Sequence, residues 1–197
     1  MAIYSYEIGE VFTATGTATS SAASKTVEGT GTDFVTEFAA GYLIVIAGET
    51  RVVASITDAD TLLVTENFTA GSGGAVAFEG VNMVNVEDLT TPLPAPKGLF
   101  KDYAQQISLG DGSVRGGGWA VGGWRFGFLT RAQRDQLRTF CTGASNSIYI
   151  RSRENDTADA YRYYTCKIVW PQEEEKDHGF RLEFVPEFRD MVEVAIS

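Results

Sequence analysis

Tyr42-Leu43-Ile44-Val45-Ile46-Ala47-Gly48-Glu49-Thr50-Arg51-Val52-Val53-Ala54-Ser55-Ile56-Thr57-Asp58-Ala59-Asp60-Thr61-Leu62-Leu63-Val64 is the stretch that decides the fold class. Apolar segments run from Tyr42 to Ala47, Val52 to Ile56 and Thr61 to Val64, with Gly48-Glu49 and Asp58-Ala59-Asp60 as turn signals between them. Short β-branched strands at this spacing predict a small β-barrel or sandwich. Upstream, residues 13–33 are dominated by Thr, Ser, Ala and Gly, as in Gly29-Thr30-Gly31-Thr32-Asp33, and read as strand or edge sequence, not as a flexible linker. Downstream, Ala75 through Phe78 completes the set.

Thr90-Thr91-Pro92-Leu93-Pro94-Ala95-Pro96 holds three of the five prolines and can form neither helix nor inner strand. A boundary is therefore expected within residues 80–97, dividing the chain into 1–82 and 83–197. The later part is richer in aromatic and charged residues. Its predicted strands are Tyr103 to Leu109, Trp119 to Phe128, Ser147 to Arg151, Tyr161 to Trp170 and Gly179 to Phe188. In the last, Phe180, Leu182 and Phe184 share one face and Arg181 and Glu183 the other. Thr130-Arg131-Ala132-Gln133 breaks the β pattern with the spacing of a capping box. Leu137, Phe140 and Cys141 follow at helical spacing, and Gly143 stands where a left-handed cap would end a helix near 130–142. The expected fold is mainly β, with two small β-barrel or sandwich domains, the second carrying one short flanking α-helix.

Charge is uneven along the 197 residues. The net of -10 is concentrated in residues 1–80, where ten Asp and Glu face two Lys and Arg. Such a chain does not grip nucleic acid by neutralising phosphates. It would repel DNA if it lined a conduit, although acidity also serves solubility alone. No stretch approaches the roughly 18 apolar residues of a membrane helix. Met1-Ala2-Ile3-Tyr4-Ser5-Tyr6-Glu7 lacks the basic and apolar segments of a signal peptide, so synthesis in the cytoplasm is expected. Cys141 and Cys166, the only cysteines, give neither a disulfide framework nor metal-ligand spacing, and read as small hydrophobes.

The search for chemistry yields no catalytic, cofactor-binding or metal-binding residue. Gly110-Asp111-Gly112-Ser113-Val114-Arg115-Gly116-Gly117-Gly118 has no Gly-Lys-Ser/Thr, no following helix and Arg115 in place of a third fingerprint glycine. It also lacks the alternating acidic ligands of a calcium loop, and reads as a tight turn followed by a glycine bend. His178, the one histidine, stands in Glu173-Glu174-Glu175-Lys176-Asp177-His178-Gly179, a polar stretch between strands and a poor setting for a general base. Glu173 to Glu175 reads as a solvated hairpin tip. There is no Gly-x-Ser-x-Gly elbow. Trp119 and Trp124 fall on opposite faces of a regular strand, so they form no single sugar-stacking platform; core packing or a subunit interface suits them and Trp170 better.

One order of features stands out between residues 97 and 194. A strand ends in Leu109-Gly110-Asp111-Gly112, a Gly-rich bend follows, and Trp124-Arg125-Phe126-Gly127-Phe128-Leu129-Thr130 leads into the helix. Then come Ser147-Ile148-Tyr149-Ile150-Arg151, Cys166-Lys167-Ile168-Val169-Trp170 and a closing Phe184-Val185-Pro186-Glu187-Phe188. This half of the chain resembles the minor tail protein M and distal tail family of siphophages. Residues 1–82, with Gly29-Thr30-Gly31-Thr32-Asp33-Phe34, Ala40-Gly41-Tyr42-Leu43-Ile44 and Ser55-Ile56 before Thr61-Leu62, resemble β modules of phage virion proteins, a module the minimal minor tail protein does not have.

The resemblance implies a tail-tube-like second domain and a structural, non-enzymatic virion protein. It implies homo-oligomeric rings, usually hexamers, that join the tail tube protein to the hub proteins of the tail tip or baseplate. DNA would pass through the lumen without specific binding, and no membrane or cofactor would be involved. Two other expectations compete with this one. The chain could be a receptor- or glycan-binding module of the tail tip, or another virion part such as a tail tube, terminator or decoration protein.

Overall fold

The structure, a computed structural model, describes residues 6–153, 161–171 and 181–196. It is mainly β, as expected from the sequence. The chain forms two compact units, Gly9–Val84 with residues 195–196, and residues 6–8 with Asn85–Val194. Residues 6–8 therefore belong to the second unit, whereas residues 1–82 were expected to form one acidic domain. The reason is local: Tyr6 packs edge-on against Trp124, with ring centroids 5.7 Å apart, and its hydroxyl accepts a 3.1 Å hydrogen bond from the Gly98 N–H.

The Gly9–Val84 unit contains β2 (Val11–Thr13), β3 (Thr17–Ser21), β4 (Ser24–Thr30), α1 (Phe34–Glu37), β5 (Leu43–Ile46), β6 (Glu49–Ile56), β7 (Thr61–Val64) and β8 (Phe78–Val81); β1 (Glu7–Gly9) precedes them. Their order is β2-β8-β5-β6-β7-β4-β3, with every pairing antiparallel. Ala18 of β3 then bridges Val76, two residues before β8, so the sheet curls back on itself into a small barrel. Inside lie Phe34, Phe38, Ile44, Ile46, Val53, Leu62, Val64, Phe68 and Phe78. The three apolar runs become β5, β6 and β7, and the Thr- and Ser-rich stretch becomes β3 and β4. Ala75 to Phe78 is only partly strand, with Val76 as a lone bridge and β8 starting at Phe78.

The one-turn helix α1 was not foreseen. It forms because the Gly29–Phe34 segment closes onto the β6–β7 turn. Thr32 Oγ1 donates to the Ala59 carbonyl at 3.0 Å and to Asp60 at 2.9 Å, and Phe34 N–H donates to the Ala59 carbonyl at 2.9 Å. Gly29 makes room for this: a Cβ there would stand 2.1 Å from Thr32 Oγ1.

In the second unit follow β9 (Val84–Asn85), β10 (Lys97–Lys101), β11 (Gln105–Ser108), β12 (Val114–Gly117), β13 (Ala120–Leu129), α2 (Arg131–Arg138), β14 (Ser145–Arg153), β15 (Tyr161–Val169), β16 (Arg181–Phe184) and β17 (Glu187–Glu193). One sheet runs β10-β13-β17-β15-β14-β1-β9, and β16 pairs with the far half of β13. Trp124 is completely buried in this unit, 4.9 Å from Phe188 by ring centroids, with its indole N–H donating to Ser152 Oγ at 3.1 Å. The polar tip of the largest core side chain is thereby satisfied. The Pro92–Pro96 segment is irregular, as its prolines require.

Helix α2 has the predicted capping box. Thr130 Oγ1 accepts from Gln133 N–H at 3.3 Å, and Gln133 Oε1 accepts from Thr130 N–H at 3.0 Å. It ends earlier than expected, at Arg138 with Thr139 as the cap, and Gly143 does not have the left-handed φ assigned to it. Phe140 N–H reaches Leu137 O and Cys141 N–H reaches Arg138 O, so a tighter final turn satisfies the carbonyls that a glycine cap would have taken. Leu137 and Cys141 are buried, and Arg138 lies 4.6 Å over the Trp170 ring.

Candidate assembly surface

The segment Tyr103–Trp119 forms an arm. Strands β11 and β12 pair only with each other, Gln105 opposite Gly117 and Ser108 opposite Val114. The turn between them has a physical cause in its sequence. Asp111 accepts hydrogen bonds from the N–H and hydroxyl of Ser113 at 2.9 and 2.6 Å, and Gly112 adopts φ +84. Those two bonds also hold the Asp111 carboxyl below its ordinary pKa. Gly110–Gly118 is thus a turn followed by the strand Val114–Gly117 with two glycines at its end.

The arm exposes large apolar side chains among polar ones such as Gln105, Gln106 and Arg115. Residues directly across a ribbon share a face, so Val114 lies with Ser108, and Ile107 with Arg115. The Tyr103 ring lies against Gly116, where a Cβ would stand 2.4 Å from it. Val114 is 60% exposed, Trp119 64%, and Tyr103, Ile107 and Leu109 are also exposed. The two neighbouring tryptophans therefore have opposite fates: Trp124 is core and Trp119 is surface.

A second feature was read from sequence only as a turn and a strand. Arg51 is buried in the barrel and holds Glu49 at 2.9 Å, the Asn67 carbonyl at 2.8 Å and the Thr50 carbonyl at 2.8 Å, with Phe68 beneath its guanidinium at 5.2 Å. Glu49 in turn accepts from the N–H groups of Thr69 and Ala70 at 2.7 and 2.8 Å. These N–H donors, aided by the Arg51 charge, hold the Glu49 carboxyl below its ordinary value. The clasp fixes the loop after β7 and is structural.

Among the described residues, no three His, Cys, Asp or Glu side chains are grouped as metal ligands, and no helix is long and apolar enough to cross a membrane. Both cysteines are buried with free thiols, and burial pushes each thiol pKa up, that of Cys166 most strongly. His178 and Glu173–Glu175 lie outside the described residues. In the Gly9–Val84 unit no described aromatic is exposed: Phe12 and Tyr42 are half-buried and the other phenylalanines are core. The chain matches no family model, no curated protein and no solved structure.

Proposed function

We propose that this chain is a structural, non-enzymatic subunit of a ring at the distal end of a long-tailed phage's tail, joining the tail tube to the tip. The observation that carries the proposal is the arm: a two-stranded ribbon that leaves Tyr103, Ile107, Leu109, Val114 and Trp119 in water. An isolated two-stranded ribbon is marginal by itself, and large apolar side chains left in water on both of its faces are what a partner surface would cover. Supporting it is the order of features between residues 97 and 194 that resembles the distal tail family. Heterologous strand-edge contacts, repeated by rotation, would close such subunits into a ring.

The test is to charge the arm. The double variant Ile107→Asp with Val114→Asp should lower the mass of the assembled species in sedimentation while the tryptophan-fluorescence melting midpoint stays in place. Unchanged assembly in that variant contradicts the proposal.

A further inference from the structure

The chain leaves the sheet of the second unit at β1 and re-enters it at β9, and those strands are neighbours in that sheet. The connections run antiparallel in one register: Tyr6 O accepts from Val86 N–H, Glu10 O accepts from Asn82 N–H, and Val11 pairs with Val81. Neighbouring antiparallel strands are ordinarily joined by a hairpin turn of a few residues. Here a complete barrel occupies the place of the turn.

That barrel has its own core. Its buried apolar residues run from Ala14 to Phe78, and each of β2 to β8 finds its strand partners within the same set. The buried ion pair Glu49–Arg51 and the loop it clasps belong to it as well. The second unit has a separate set of large buried side chains, Trp124, Phe126, Phe184 and Phe188, and carries the arm. A folded insert whose ends are adjacent costs its host little loop entropy, because the host needs only the two ends held together.

We infer that the Gly9–Val84 barrel is an insert in the β1–β9 hairpin: it unfolds as a block of its own, and the unit bearing the arm keeps its fold and its self-association without it. The association part rests on the ring-forming reading above; the folding part does not. The intact chain tests the folding part, since Trp119, Trp124 and Trp170 all lie outside the barrel and their fluorescence reports the second unit alone.

Arg51→Met should move a far-UV circular dichroism transition down by several degrees and leave the tryptophan midpoint where it was. An equal shift of both signals overturns the inference. A second variant replaces Glu10–Asn82 by Asn-Gly, so that Gly9 and Met83 flank a two-residue hairpin in the same register. It should melt with the tryptophan midpoint of the full chain and assemble to the same number of copies. Loss of the tryptophan transition, or loss of assembly in the folded variant, overturns it. A full chain that is monomeric would defeat the ring reading instead, and the fluorescence comparison would still decide the folding part.

Discussion

Ala47 carries a conformation that its side chain disfavours: it and Gly48, the two residues of the β5–β6 turn, have φ of 51 and 82. Both central residues of such a hairpin turn need positive φ, which asparagine tolerates better than alanine. Ala47→Asn should therefore stabilise the barrel by about 0.5 kcal/mol or more in urea unfolding; destabilisation would contradict the turn assignment. Glu49 sets an acid limit. Its carboxyl is held below its ordinary value of 4.5 by Thr69 and Ala70 N–H and by Arg51. A group with a lowered folded pKa stabilises fully above its unfolded value and loses that contribution as pH falls through the folded one. Barrel stability should thus fall on going from neutral to pH ~3, and Glu49→Gln should be weaker at neutral pH but lose less on acidification. Removing the cation instead, as in Arg51→Met, leaves the Asn67 and Thr50 carbonyls without their donor, while the part-exposed Glu49 keeps its two N–H partners, and should cost about 1–3 kcal/mol. None of this clasp was legible in Gly48-Glu49 and Thr50-Arg51-Val52, because burial of Arg51 depends on where Asn67, Phe68 and Thr69 return. Trp119 was expected in one strand with Trp124, but it stands in the bend before β13, exposed, while Trp124 is buried within the strand.

Among the elements, α2 is the one that local chemistry dictates most directly. Thr130→Ala removes one side of the capping box and should lower stability by about 1 kcal/mol, read as an earlier tryptophan-fluorescence transition; no change would mean that tertiary packing alone holds the helix. The end of α2 was less legible than its start, because a tight last turn and a left-handed glycine cap both satisfy its carbonyls. Strand β13 shows why glycine can mark a strand interior. A Cβ on Gly122 would stand 2.8 Å from Met191 Sδ and 2.9 Å from the Leu99 carbonyl, and one on Gly123 would stand 3.1 Å from the Pro186 carbonyl. Gly122→Ala should accordingly destabilise the second unit by about 1–3 kcal/mol, the range for overpacking, checked by the same fluorescence transition. Runs of β-branched residues made β5, β6 and β7 readable. Helix α1 was not readable, because four residues give no helical periodicity and its turn depends on Thr32 meeting the Asp58–Asp60 loop.

For the whole molecule, composition and punctuation predicted a β-rich chain, while the topology shows what punctuation hides. A boundary was expected within residues 80–97, dividing the chain into 1–82 and 83–197. The first unit runs from Gly9, the last residue of β1, to Val84, the first of β9, so its end lies within that range, while no local signal at Ile8 marks a chain that returns to the same sheet at Asn85. Strand neighbours far apart in sequence are invisible to any local reading. The candidate surface was half legible: the glycine-rich turn was read as a turn, but its exposure follows from β11 and β12 pairing only with each other. The central claim is that this chain associates into rings, and the mass of the purified full-length protein tests it most directly. Sedimentation over a range of concentrations, with the same sample viewed by electron microscopy, should show closed rings near six times 21.3 kDa. A single species of 21.3 kDa at every concentration would contradict it.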